Sequence, residues 1–122
     1  MEEKKYVRRM AIIAEAACYE GVGNLQGKTF LTLQMIYTAG AERGQVVDKQ
    51  YVFEGNPPDY LRRDLLRLGY MVDSTEKLME ITEQLIGVVV RVSLTKDGDT
   101  LHVYIDDYYG RDNPKKYNAV NG

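Results

Sequence analysis

Val88–Tyr109 reads VVVRVSLTKDGDTLHVYIDDYY, and the alternation inside it decides the fold class. Val88, Val90, Val92 and Leu94 alternate with Val89, Arg91, Ser93 and Thr95, the period of two expected of a half-buried strand. Asp97-Gly98 supplies the positive-φ residue that a tight hairpin turn needs. Leu101, Val103 and Ile105 form the next inward row, with His102, Tyr104 and Asp106 facing the other way. A two-stranded hairpin is marginal by itself in water, so strands from upstream must complete its sheet.

Upstream, Lys5 to Tyr19 reads as a long first strand, with Met10, Ile12, Ala14 and Ala16 on one face. A helix is the rival there, because Ala and Glu favour it, but Tyr6, Val7, Ile12 and Ile13 are β-prone. Gly21, Gly23, Asn24 and Gly27 mark a loop. Lys28–Tyr37 (KTFLTLQMIY) alternates clearly, Leu31, Leu33 and Met35 in, Phe30, Thr32, Gln34 and Ile36 out. Gly40 to Gly44 turns the chain. Val46–Phe53 then makes a third strand, with Val47, Tyr51 and Phe53 inward.

Two helices follow. Asn56 is the expected N-cap of the first, Pro57 its first residue, and Leu61, Leu65 and Leu68 its buried stripe, with Gly69 as its end. Arg62, Arg63 and Arg67 point outward, Asp59 being placed to pair with Arg63. In the second, Asp73 and Glu76 can form a capping box, Leu78, Ile81 and Leu85 pack inward, and Gly87 stops it. The order β-β-β-α-α-β-β predicts a mainly β protein with a helical insertion, an OB-like five-stranded barrel. The alternative is an α+β sheet covered by helices on one side; barrel closure is preferred because it removes exposed strand edges. Residues 1–110 form the expected OB-like domain and 111–122 a loose C-terminal tail without apolar period. There is no internal repeat and no linker.

Three pieces, GQVVDKQYVF after a glycine turn, LRRDLLRLGY as the arginine-rich helix and LIGVVVRVSLTKDGDTLHVYIDDY as the closing hairpin, carry a resemblance. Over Lys28 to Tyr109 the chain resembles small phage-encoded proteins found near recombination and replication genes. The resemblance implies an OB-like single-stranded DNA-binding protein acting in the host cytoplasm. The tail lacks the acidic tip with which bacterial single-strand binders recruit partners.

Composition bounds the remaining choices. The 122 residues suffice for one domain with a useful core. No apolar run reaches the roughly 20 residues of a membrane span, so no membrane partner is expected. The single cysteine, Cys18, rules out an internal disulfide and fits a reducing cytosol. A net charge of -2 argues against coating duplex DNA, though not against holding single strands by stacking and a local basic groove. The chain has 10 tyrosines and no tryptophan, a composition suited to half-exposed contact surfaces.

No motif carries catalysis, so no enzyme, cofactor or metal is expected. Gly27-Lys28-Thr29 lacks the earlier glycine of a phosphate loop, that position being Val22, and it leads into a strand pattern rather than a helix. His102 is the only histidine and has no evident catalytic or metal partners. Asp106 and Asp107 are neighbours, so regular strand geometry sends them to opposite faces. Cys18 lies in an apolar strand, a setting for burial rather than reactivity.

What remains is binding. Lys28, Phe30, Gln34, Arg43, Lys49 and Lys96 are the expected single-stranded DNA contacts, on the second strand, the third strand and the loops around them. The competing structural role packs Phe30 and Ile36 under the helices and leaves the lysines solvated. Tyr104 and Tyr108, read as outward on the last strand, are the expected surface for a protein partner or a homo-oligomer. The alternative function is a phage protein that binds and inhibits a host defence protein, for example a CRISPR nuclease.

Overall fold

The computed structural model describes residues 5–117. Five antiparallel strands, β1 (Val7–Glu20), β2 (Lys28–Tyr37), β3 (Val46–Glu54), β4 (Val88–Asp97) and β5 (Thr100–Arg111), form one sheet in the order β3-β2-β1-β4-β5. Two helices, α1 (Asp59–Arg67) and α2 (Thr75–Ile81), connect β3 to β4. The architecture is mainly β with a helical insertion. The strand reading of the first segment holds over its helical rival.

The closing hairpin forms because its turn chemistry matches its twist. Asp97 pairs with Thr100 across a two-residue loop, and Gly98 opens that loop at φ 63°, a conformation other residues rarely adopt. Gly87 has a different reason to be glycine: at φ 96° an added Cβ would stand 3.0 Å from the Asp112 carbonyl oxygen. The Gly87 amide meanwhile bonds the Ile13 carbonyl.

One face of the sheet carries the core. Leu31, Leu33 and Met35 from β2 meet Leu61, Leu65 and Leu68 of the first helical segment, with Leu78, Ile81 and Leu85 closing from the second. The helices begin differently from the sequence expectation. Asn56 does not cap α1; the extended Pro58 does, and its carbonyl accepts from the Leu61 and Arg62 amides, so the chain is already committed by proline geometry. Asp59 pairs with Arg62 rather than Arg63. Asp73 and Glu76 form no capping box; Ser74 caps α2, its hydroxyl accepting from the Lys77 amide at 3.1 Å.

Three register shifts, one between β1 and β2 and two between β4 and β5, rearrange the faces. In β1, Ile13 pairs with Met35 and Glu15 with Gln34, leaving Ala14 unpaired. An extra residue shifts the side-chain phase. Ala11 and Ile13 therefore face the core on one side of the bulge and Ala16 and Cys18 on the other, whereas Ile12 faces outward. The single row expected from Met10 to Ala16 is thus two half-rows. In β5, Arg91 pairs with Asp107 and Val92 with Ile105, so Asp106 is the extra residue. Asp106 and Asp107 are consequently not on opposite faces. Arg91 reaches both, its Nη2 bonding Asp107 and its Nε 3.9 Å from Asp106, and the Ser93 hydroxyl donates to Asp106. Leu101, expected inward, is exposed near the hairpin end.

The edge strands β3 and β5 are not joined by a ladder, so the sheet is not closed into a barrel. Side chains span the seam instead. Lys49 Nζ of β3 donates to the Val103 carbonyl of β5 at 2.6 Å, and Arg67 of α1 reaches the Ile105 carbonyl at 3.3 Å. Arg67 also pairs with Asp64 at 3.2 Å, and Asp64 accepts from the Tyr51 hydroxyl at 2.7 Å. Two free carbonyls of an exposed edge are thereby covered by cations.

The segment read as a loose tail starts with Arg111, the last residue of β5, followed by a 3-10 turn, Pro114–Tyr117. This strap lies on the outer face against β1 and β2, over Ile12 and Ile36. Both isoleucines are buried, at 0% and 8% exposure, yet neither belongs to the helix-covered core. Asp112 anchors the strap, bonding Lys116 at 2.9 Å and the Tyr117 hydroxyl at 2.8 Å. The remainder of the expected tail, 118–122, lies outside the described residues.

Candidate nucleic-acid interface

The outer face of β1, β2 and β3 is laid out by register. Tyr19, Phe30 and Val52 share one row; Ala17, Thr32 and Gln50 the next; Glu15, Gln34 and Asp48 the third. Phe30 does not pack under the helices. Its ring stacks on Tyr19 with centroids 5.3 Å apart and planes 9° apart, and Tyr19 is 45% exposed. Tyr19 was recoverable from sequence by counting back across the glycine loop, since the β1–β2 pairing puts it opposite Phe30. Beside this pair an open groove of about 640 Å³ crosses the second and third rows. Its ionisable outward side chains are the carboxylates Glu15 and Asp48.

The expected contact residues divide into three groups. Lys28, Phe30 and Gln34 share the outer face of β2, Lys28 opposite Glu54. Arg43 sits in the β2–β3 turn, its guanidinium 5.1 Å from the Tyr117 ring and its Nη2 3.5 Å from the Lys116 carbonyl, so it fastens the strap. Lys49 pairs with Leu33 in a core-facing row and points into the seam. There it stands between the rings of Tyr51 and Tyr104, at 5.0 and 5.5 Å. Burial lowers its ammonium pKa, Asp64 partly opposing the shift. Lys96 is exposed beside the hairpin turn, beyond the N-terminal end of β1, whereas Lys28 lies beyond the other end. The sequence-predicted cations therefore do not converge.

Tyr104 and Tyr108 do not share a face either. Tyr104 is opposite Ser93, on the outer side; after the Asp106 bulge Tyr108 is opposite Val90, whose row is the core row. Tyr104 belongs to an aromatic cluster with Tyr6, at 6.3 Å, and with the half-buried His102, at 6.5 Å. Cys18 is half-buried, and desolvation raises its thiol pKa, which opposes thiolate chemistry. Burial, with Asp64 next to it, holds the Tyr51 hydroxyl far above the ordinary tyrosine range, so it stays a hydrogen-bond donor. Among the described residues no cluster of three or more His, Cys, Asp or Glu side chains could hold a metal ion, and no helix is long and apolar enough to cross a membrane.

In comparisons with protein-family models, curated proteins and solved structures, the chain matches none of them.

Proposed function

We propose that the protein is a phage-type single-stranded DNA-binding protein of replication or recombination, built on an OB-like barrel whose seam is closed by side chains. Support for the fold reading is the arrangement of β1, which pairs with both β2 and β4, and the helical connection between β3 and β4. Lys49 spans the remaining gap, which brings the two sheet edges within one side chain's reach. The observation that carries the function is the near-parallel stack of the exposed Tyr19 on the half-buried Phe30, beside an open groove. A ring pair held flat by its neighbours offers a preformed platform to any base, because every base has a π-face.

Fluorescence anisotropy of labelled oligo-dT of about 30 nucleotides, at two salt concentrations, tests this. Salt-sensitive binding that duplex DNA cannot displace is expected, and Phe30→Ala should weaken it by about 1–3 kcal/mol. A folded protein that binds no oligonucleotide at low salt sinks the reading.

A second reading has one observation in its favour, the carboxylates Glu15 and Asp48 in the groove. A groove so charged suits a basic protein surface, such as that of a host defence nuclease bound and inhibited by this chain. Glu15→Lys combined with Asp48→Lys separates the two. It strengthens oligonucleotide binding under the first reading and abolishes partner binding under the second.

A further inference from the structure

Tyr6, the residue immediately before β1, and Tyr19 are 13 positions apart, an odd interval that regular alternation would send to opposite faces. The unpaired Ala14 restores the phase, so Tyr19 and the N-terminal outward row of Arg8, Met10 and Ile12 lie on the same side of the sheet. Across that row Arg8 meets Ser93, and Ser93 meets Tyr104. Tyr6, Arg8, Ser93, Tyr104 and Asp106 line a shallow depression of about 260 Å³. Tyr6 and Tyr104 remain 50% and 45% exposed although their rings are in contact.

The two ends of the face differ in charge. Near Tyr19 and Phe30 the groove presents Glu15 and Asp48. At the Tyr6–Tyr104 end Arg8 is exposed and Asp106 is already engaged by Ser93 and Arg91. Between the ends the strap brings Lys115 to the same face, next to Ile36 and Gln34. A polyanion that stacks at the first end has Lys28 beside Phe30 on β2 and, among the described residues, further cations at Lys115 and Arg8 towards the second end.

We infer that the Tyr6–Tyr104 depression, with Arg8, is a second stacking and phosphate-binding subsite for the same single strand, so that the bulge at Ala14 sets up a two-platform interface. The inference rests on the single-strand reading and deepens it by fixing a minimum ligand length. At about 3.3 Å per strand residue, roughly 40 Å of β1 separates the platforms. A stacked strand rising about 3.4 Å per nucleotide crosses that with on the order of ten nucleotides. This length lies within the 4–16 nucleotides that such folds occupy.

Anisotropy titrations with oligo-dT of about 5 and about 15 nucleotides test the subsite, using the full chain and the exposed-site variants Tyr104→Ala, Arg8→Ala and Phe30→Ala. The longer oligonucleotide is expected to bind the unmodified protein at least about ten-fold tighter. Tyr104→Ala and Arg8→Ala should each remove most of that advantage and leave the shorter one's affinity unchanged, while Phe30→Ala weakens both. Loss at both lengths on Arg8→Ala, or no loss at either length, overturns the second subsite while Phe30→Ala still reports the first. Failure of the unmodified protein to bind either length overturns the single-strand reading and the subsite together.

Discussion

The seam between β3 and β5 and the outer face of β1 and β2 use the same residue types to opposite ends. At the seam Lys49 lies between two tyrosine rings and its ammonium is consumed by the Val103 carbonyl. On the outer face Tyr19 and Phe30 stack on one another with solvent on one side. Cations beside aromatics mark a ligand site only when their donors are not already spent on backbone. At the seam they are spent, and the result is closure of a sheet edge that would otherwise recruit another strand. On the outer face the Tyr19–Phe30 stack leaves the Tyr19 ring exposed, and the proposed binding rests on that feature.

The sharpest way to break this contrast is to remove what fills the seam. Leu65 is 2% exposed and ties α1 to the core while Asp64 and Arg67 on the same helix reach Tyr51 and β5. Leu65→Ala should cost about 2–5 kcal/mol by lost burial and a cavity. In denaturant titration the midpoint falls accordingly, and hydrogen exchange accelerates first in β5. Oligonucleotide affinity measured under folding conditions stays within about two-fold of the unmodified protein if the outer face is energetically separate. A parallel loss of affinity would show that the seam and the platform are one unit.

Lys49→Met asks the same question with a smaller effect. The stem is retained and the ammonium removed, so the Val103 carbonyl loses its donor; about 1–2 kcal/mol of stability should go with it. Because Lys49 faces the seam, the salt dependence of oligonucleotide binding should keep its slope. A slope lowered by about one would mean that this lysine neutralises a phosphate, and the division between closing and binding cations would fail.

How far the sequence reached follows from the same distinction. Every strand and both helices were legible because their apolar periods are long and their turns carry glycine. Register was not. Ala14 and Asp106 are unremarkable residues, and nothing in a one-dimensional pattern marks them as unpaired; each nonetheless changes the facing of the side chains after it, in β5 as far as a further shift between Tyr108 and Arg111. That is why Tyr104 and Tyr108 read as one surface and lie on two. The cap of α2 was missed for a similar reason, Ser74 and Asp73 being equally good acceptors one position apart. Lys49 was legible as a cation between outward neighbours, but its partner is a backbone carbonyl 54 positions away.

The strap supplies the smallest effect and a pH-dependent one. Asp112 is held at about 2 by hydrogen bonds from Lys116 and Tyr117, with the Asn113 amide adding a third. Its pKa is depressed in the fold, so its contribution is complete above the ordinary carboxylate value near 3.9 and drains away as pH falls towards about 2. The group is solvent-facing, and global stability should barely respond. The local signal is specific: the Asn113 amide, which donates to Asp112 Oδ1, and the methyls of Ile12 and Ile36 beneath the strap should titrate together in an NMR series from pH 5 to pH 2. Asp112→Asn should flatten the titration and leave the core resonances in place. If the isoleucine methyls instead move only with global unfolding, the strap is held by packing, and the outer face is covered at Ile12 by hydrophobic burial rather than by the carboxylate.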